Sequence, residues 1–317
     1  MVQEDISLVG KNKQEIFGNF WKAEGEAKAN IVIVHGMAEY SLRYADFASF
    51  LASKGYNVYA EDHLGHGKAV SSRKAPEFNY GDWPEDGFQN SVDQVEALVT
   101  YVQSQNKLPI FIFGHSLGSF ITTAFYEQHS DQVQAGIICG SAYNNMTYRS
   151  SRVITSIMKA FMSKKKQHQV NKMLVNLSNN TFNKKSQPFE DGYNSVNNWL
   201  SYNEENVKKY DDDKECGFPC TFMFFYGLFK GQQATWKKSA LNNIKTPKDI
   251  LLIAGEDDPV GNYGKDVKNL LKFIKSKQDN VSMKLYPHMK HEILNETDHQ
   301  KVYDDVVNFF DAELKNM

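Results

Sequence analysis

Short apolar runs alternate with stretches of helical periodicity along most of this chain, a rhythm that predicts β-α-β units around a largely parallel sheet. Ile31-Val32-Ile33-Val34 is a wholly apolar, β-branched tetrad that ends at His35-Gly36, as a buried central strand does. Tyr44 to Lys54 carries Phe47, Phe50 and Leu51 at helical spacing, and Gly55 supplies a C-cap. Asn57-Val58-Tyr59-Ala60 predicts a second strand, followed by the loop Glu61-Asp62-His63-Leu64-Gly65-His66-Gly67. Ser91 to Gln105 places Val92, Val95, Leu98, Val99 and Val102 on one helical stripe. A strand over Pro109 to Phe113, a helix from Leu117 to Tyr126 and a strand over Ala135 to Cys139 close this half. The rhythm resumes late, with a strand over Asp249 to Ala254, a helix over Tyr263 to Lys275, a strand over Ser282 to Tyr286 and a helix from His299 to Leu314.

Between Ser141 and Pro247 the rhythm breaks. Val153, Ile154, Ile157, Met158, Phe161 and Met162 fall at helical spacing, Val170, Met173, Leu174 and Leu177 repeat it, and Phe222 to Phe229 is denser still. Asn179 to Lys185 reads as loop. With no strand signal in this block, the pattern predicts an α/β core of residues 1–140 and 248–317, with a mostly parallel central sheet flanked by helices. Residues 141–247 form a helical cap inserted over the sheet's C-terminal edge.

A chain of 317 residues suits two small domains or one large α/β domain with an insertion, and the pattern favours the second. The net charge of −2 gives no global field toward nucleic acid or an anionic membrane, and Lys164-Lys165-Lys166 reads as a solvated helix end. Met1-Val2-Gln3-Glu4-Asp5 lacks the basic then apolar character of a secretory leader, and no apolar run reaches the length of a membrane span, so any membrane contact is expected to be transient, through an exposed apolar rim. Cys139, Cys216 and Cys220, an odd count, read as reduced thiols in a cytoplasmic protein, and Cys216 and Cys220 lack the further ligands of a zinc site. No cofactor or metal is expected.

Gly114-His115-Ser116-Leu117-Gly118 matches the G-x-S-x-G turn and lies directly between a predicted strand and a predicted helix. That context suits a nucleophile: the turn strains the serine backbone, the glycines admit close neighbours, and the helix N-terminus points N–H groups at developing negative charge. A serine needs a base oriented by a carboxylate, and behind such a turn these follow in the order acid, then histidine. Asp258, fixed by Pro259, is the choice over Glu256 and Asp257 in the loop after the strand ending at Ala254. His288 and His291 both follow the next strand, and spacing alone does not decide between them. The two oxyanion donors are expected to be the N–H groups of Leu117 and Met37.

These segments resemble the monoglyceride lipase and lysophospholipase branch of the α/β-hydrolases. His35-Gly36-Met37-Ala38-Glu39 with Arg43-Tyr44, Asp62-His63-Leu64-Gly65-His66-Gly67, Gly114 to Gly118, and His291-Glu292-Ile293-Leu294-Asn295-Glu296 carry the likeness. Asn198-Trp199-Leu200-Ser201 and Cys216-Gly217-Phe218-Pro219 are similar to segments of bacterial lysophospholipases. The chain departs from the pattern at Tyr40, where histidine is usual, at Leu42, where a small residue is usual, and at Leu64, often arginine. The resemblance selects His291 over His288. It implies an α/β-hydrolase fold and a serine hydrolase of lipid-like monoesters, namely monoacylglycerol, lysophospholipid or short acyl esters, with the triad Ser116, Asp258 and His291.

Glu39 and Arg43, four residues apart, are expected to pair structurally, and the Met- and Phe-rich cap is expected to supply an acyl slot alongside plain core. Two other functions fit the same scaffold. A serine aminopeptidase needs a cap carboxylate for the substrate ammonium, with Glu190, Asp191, Glu204 and Glu205 as candidates, and a non-enzymatic binding protein needs no triad. An aspartate-nucleophile dehalogenase or epoxide hydrolase is disfavoured by serine at 116.

Overall fold

The computed structural model describes residues 3–11, 14–72 and 79–317; Met1 and Val2 of the opening segment lie outside them. The strands are β1 (Gln3–Val9), β2 (Glu15–Trp21), β3 (Ala29–Val34), β4 (Tyr56–Glu61), β5 (Ile110–His115), β6 (Ala135–Cys139), β7 (Asp249–Gly255) and β8 (Val281–Tyr286). They form one sheet in the order β1-β2-β4-β3-β5-β6-β7-β8. β1 and β2 pair antiparallel with each other, β2 pairs antiparallel with β4, and every other pairing is parallel. This is the α/β-hydrolase fold. The first two strands escaped the sequence pattern because β1 buries only one side chain fully and Gly18 and Asn19 split the apolar residues of β2.

The helices of the first half are α1 (Ala45–Ser53), α2 (Gly67–Ser71), α3 (Gly87–Gln105) and α4 (Leu117–His129). Between β6 and β7 the described residues form α5 (Asn145–Phe161), α6 (Lys164–Gln167), α7 (Lys172–Phe182), α8 (Glu204–Asp212) and α9 (Phe222–Thr235). The late elements are α10 (Lys265–Lys275) and α11 (Gln300–Lys315).

The pleat divides the apolar strands between two cores. Val32, Val34, Ile110 and Ile112 pack with residues of α3, α4 and α10, whereas Ile31, Ile33, Phe111 and Phe113 pack with α1 and α11. From β3 the chain goes to β4 on one side and later enters β5 on the other. A crevice therefore opens beyond the C-terminal ends of β3 and β5, the switch point where doubly wound sheets place their sites.

Three expectations change. α3 begins at Gly87, a turn before Ser91. Asn179 to Lys185 is helical rather than loop: α7 runs through Phe182 and a 3₁₀ turn follows, nucleated by the Asn171 side chain accepting from the Leu174 N–H. The apolar stripe of α5 does not bury itself, for Val153, Ile154, Ile157 and Phe161 all face solvent.

β5 can run straight into α4 only because glycine stands at 118. A Cβ there would lie 2.0 Å from the Val34 carbonyl oxygen of β3. Gly118→Ala is therefore expected to cost about 3 kcal/mol or more of stability, since backbone cannot yield as a side chain does. A loss under about 1 kcal/mol in urea unfolding would contradict this packing.

Candidate active site

Ser116 is the hinge between β5 and α4, with φ 54° and ψ −118°, a left-handed conformation uncommon for a residue with a side chain. Its N–H donates to the Cys139 carbonyl at 3.0 Å, which ties the turn to the end of β6. Gly114, one turn of chain earlier, sits where a Cβ would meet Thr122 Oγ1 at 2.2 Å. Leu117 is the first residue of α4, so its N–H belongs to the group of helix N-terminal donors without an intrahelical partner. The Leu117 side chain is core.

The loop after β3 comes down beside the serine. A Cβ on Gly36 would lie 3.2 Å from Ser116 Cβ, and the next residue, Met37, lines the same cleft as Ser116. The ring of His35 braces this loop. Its Nε2 accepts from the His63 N–H at 3.0 Å, so its proton sits on Nδ1, which donates to Gly36 O at 2.8 Å. Burial, together with the neighbouring His63 and His66, keeps His35 well below its ordinary pKa and so neutral. Ala38, with φ 55°, is held from the insertion: the Gly217 N–H and the Tyr210 hydroxyl both donate to its carbonyl, at 3.0 and 2.9 Å.

Asp258 follows β7 and is fully buried. Its Oδ1 accepts from the Val260 N–H at 2.8 Å, and its Oδ2 lies 3.0 Å from Nδ1 of His291, in the loop after β8. The other imidazole nitrogen of His291, Nε2, is buried without a hydrogen-bond partner, and His291 and Ser116 line one cleft. His288 is exposed with φ 54° in the turn after β8. Of the neighbouring acids, Glu256 is exposed and Asp257 accepts from the Tyr202 hydroxyl at 3.1 Å.

The cleft encloses about 740 Å³ of space, counted out to the open solvent at its mouth. The strand ends supply Gly36, Met37, Ser116 and His291, and the insertion supplies Val175, Asn179, Trp199, Phe218 and Phe225. The Trp199 ring lies 5.1 Å from that of His291. Of the Phe-rich segment in α9, Phe225 reaches the cleft, whereas Phe222 and Phe224 are core, Phe224 packing 4.2 Å from Trp83.

Beneath the cleft lies a buried charge network. Arg43 donates to both carboxylate oxygens of Glu292, at 2.5 and 2.8 Å, and to Glu39 at 2.8 Å. Asn206 of α8 joins it by donating to Glu292 at 2.7 Å. Glu39 also receives the Gly36 N–H and the Tyr44 hydroxyl, at 2.6 and 2.8 Å. Burial alone would raise the Glu39 pKa, but the His115 ring, the Arg43 guanidinium and the Tyr44 hydroxyl outweigh it and hold the carboxyl down at about 2. Glu292 is likewise lowered against its burial, chiefly by Arg43. His115 in turn bonds the His291 carbonyl at 3.2 Å and the Tyr44 hydroxyl at 2.9 Å.

The sequence matches the model of the serine aminopeptidase S33 family over residues 25–298. The chain belongs to this family. It is similar to the monoglyceride lipase of Homo sapiens, 33% identical over 119 residues, which cover 36% of this chain and 35% of that protein. It is also similar to the phospholipase YtpA of Bacillus subtilis, 31% identical over 121 residues, 38% of this chain and 42% of the relative. The chain thus spans well under two thirds of the length of these curated relatives. In structure it resembles a thermostable carboxyl esterase from Bacillus coagulans solved with glycerol, at TM-score 0.88, 24% identity and 99% coverage of both chains.

Within this S33-family chain, the structure brings Ser116, Met37 and His291 to one cleft, sets Asp258 behind His291 and starts α4 at Leu117. The pairing of Glu39 with Arg43 is present, but the stronger partner of Arg43 is Glu292, 249 residues along the chain, which no local spacing announces. His115 was legible only as the variable position of the pentad, and Trp199 only as part of a resembling tetrapeptide. None of Glu190, Asp191, Glu204 and Glu205 lines the cleft.

The network makes stability depend on pH with a definite sign. Glu39 ordinarily titrates at 4.5 and is held at about 2, so its contribution is complete above pH 4.5 and is lost as pH falls toward 2. Arg43→Met strands two buried carboxylates and is expected to cost about 3–5 kcal/mol near neutral pH. The deficit should shrink toward acid pH, where the stranded carboxyls protonate. Urea unfolding of both proteins across pH checks this; a small or pH-independent deficit contradicts it.

Proposed function

We propose that this chain is a serine carboxylic-ester hydrolase of lipid-like monoesters, such as monoacylglycerols, lysophospholipids or short acyl esters, acting through Ser116, His291 and Asp258. The supporting observation is the state of the His291 ring: Nδ1 engaged by a fully buried carboxylate at 3.0 Å, Nε2 unpartnered, and the ring in one cleft with a strained serine. Residues 141–247 serve as the cap, since they supply the apolar side of that cleft. The names of the human and Bacillus relatives, a monoglyceride lipase and a phospholipase, point the same way.

In this mechanism His291 Nε2 takes the Ser116 hydroxyl proton as Oγ attacks the ester carbonyl carbon. The N–H groups of Leu117 and Met37 hold the resulting oxyanion. Asp258 fixes the imidazole tautomer and stabilises the imidazolium, which then returns the proton to the leaving alkoxide as the ester C–O bond breaks. Water, deprotonated by His291, attacks the acyl-enzyme and releases the carboxylic acid with Ser116 restored.

The family's name raises the aminopeptidase alternative, and the cleft disfavours it. A substrate ammonium needs a carboxylate with capacity to spare. The lining carboxylates among the described residues are Glu39 and Glu292, and both are committed to Arg43. Asp191 and Glu204 hold Lys208, and Glu205 pairs with Lys209.

Ser116→Ala is expected to lower kcat for a p-nitrophenyl acyl ester by about 10⁴-fold or more, and Asp258→Asn by about 10⁴-fold. Wild type should label with a fluorophosphonate probe and Ser116→Ala should not. Faster turnover of aminoacyl anilides than of acyl esters would overturn the ester assignment, and an unlabelled wild type would leave only a binding protein.

A further inference from the structure

Helix α5 is built inside out. A helix on the surface of a globular domain turns its apolar stripe inward and its charges to water. Here Tyr148, Arg152, Thr155 and Lys159, spaced along one face, turn toward the protein. The guanidinium of Arg152 lies 4.2 Å from the centre of the Tyr226 ring of α9, Lys159 Nζ lies 4.4 Å from the same ring, and Lys159 also pairs with Glu85. Thr155 is 1% exposed. The opposite face carries Val153, Ile154, Ile157 and Phe161, and Phe161 is 87% exposed. Among the described residues these side chains stay largely open to solvent.

The charge around this face is equally one-sided. Residues 145–185 contain nine of the chain's 36 basic residues and none of its 38 acidic ones, so a protein of net charge −2 holds a purely cationic segment on its surface. Lys164, Lys165 and Lys166 follow α5 directly and are exposed, as are Lys172, Lys184 and Lys185 along and after α7. α7 continues the arrangement beside the cleft: Val175 and Asn179 line it, while Met173 and Leu177 are exposed on the same helix.

We propose that α5, α6 and the outer side of α7 form a docking surface for an anionic lipid bilayer. Exposed apolar side chains combined with lysines describe a helix that lies in the headgroup plane, its side chains dipping into the acyl boundary while the lysines meet lipid phosphates. Spanning is not involved, since no helix among the described residues is long and apolar enough to cross a membrane. A second copy of the chain is a poor occupant, because a two-fold contact would set this cationic face against itself. The surface stands whether or not Ser116 turns over an ester. Where it does, docking sets the cleft-lining helix α7 at the bilayer surface.

The test is flotation of the intact chain with vesicles of phosphatidylcholine alone and of phosphatidylcholine mixed equally with phosphatidylglycerol. The mixed vesicles should bind at least about tenfold tighter, with the difference falling at high salt. Ile157→Glu/Phe161→Glu and, separately, Lys164→Glu/Lys165→Glu/Lys166→Glu should each weaken binding by about tenfold or more. Both variants alter exposed side chains, so their thermal unfolding should match wild type, which separates lost docking from lost folding. Equal binding to both vesicles, no binding to either, or full binding by the charge-reversed variant overturns the proposal. So does a dimer in light scattering that Phe161→Glu dissociates in a protein that ignores vesicles.

Discussion

Arg43 is the point on which the site's geometry depends. One guanidinium, buried beneath the cleft, bridges Glu39 in the loop after β3 and Glu292 beside His291, and Asn206 of α8 joins the same carboxylate. Three stretches of chain that meet nowhere else in sequence are thereby held to one charge. Burying ions is costly, and a hydrophobic triad of similar volume would serve stability as well or better. What the ions add is direction. Glu39 has two oxygens, and one of them takes both the Gly36 N–H and the Tyr44 hydroxyl, so the peptide leading to Met37 is oriented by a carboxylate that Arg43 keeps ionised.

The loop that carries His291 also ties the insertion to the sheet. The Glu292 N–H donates to the Leu200 carbonyl at 2.8 Å, and Glu296 accepts from the Ser201 hydroxyl and the Tyr202 N–H at 2.8 and 2.9 Å. Lys290 reaches the Asn198 carbonyl at 2.7 Å. Trp199 is thus flanked by residues bonded to the loop that carries His291, and its ring lies 5.1 Å from that of the histidine. The segment Asn198 to Ser201 is therefore part of the site, although its residues sit in the insertion.

What was legible in the sequence follows the range of the physics. Buried parallel strands such as Ile31 to Val34 are apolar on both faces and announce themselves, and so does a serine between glycines at a strand-to-helix junction. β1 was invisible because this edge strand buries only one side chain fully, and β2 because Gly18 and Asn19 interrupt its apolar residues. His288 and His291 were indistinguishable by spacing, since both follow β8. They separate only in three dimensions, His288 in an exposed turn and His291 buried against Asp258. Glu292 as the partner of Arg43 was out of reach for the same reason, for ion pairs across 249 residues leave no local mark. The stripe of α5 was misassigned for a different cause. Periodicity reports that a helix has an apolar face and says nothing about which way the face turns, and Tyr226 holds the cationic face inward.

The lining of the cleft bears on how a site of this kind selects what enters it. The hydrogen-bonded part of the lining lies in the loops after β3 and β8, where the Gly36 N–H is held by Glu39 and Glu292 by Arg43. Val175, Phe218 and Phe225 give the cleft apolar surface without a side-chain donor or acceptor, so under the proposed ester chemistry a longer acyl chain gains by burial alone, at about 0.8 kcal/mol per methylene. Such a wall grades chains by length but does not reject them sharply, because a missing methylene leaves no buried polar group unpaired. Sharp discrimination needs a polar contact, and Tyr40 does not offer one to the cleft, since it is absent from the lining and its hydroxyl donates to Asp213 at 2.8 Å. Under the proposed ester chemistry the apolar wall therefore sets only a gradient of chain length, and any sharp choice falls to the hydrogen-bonded groups of the loops after β3 and β8.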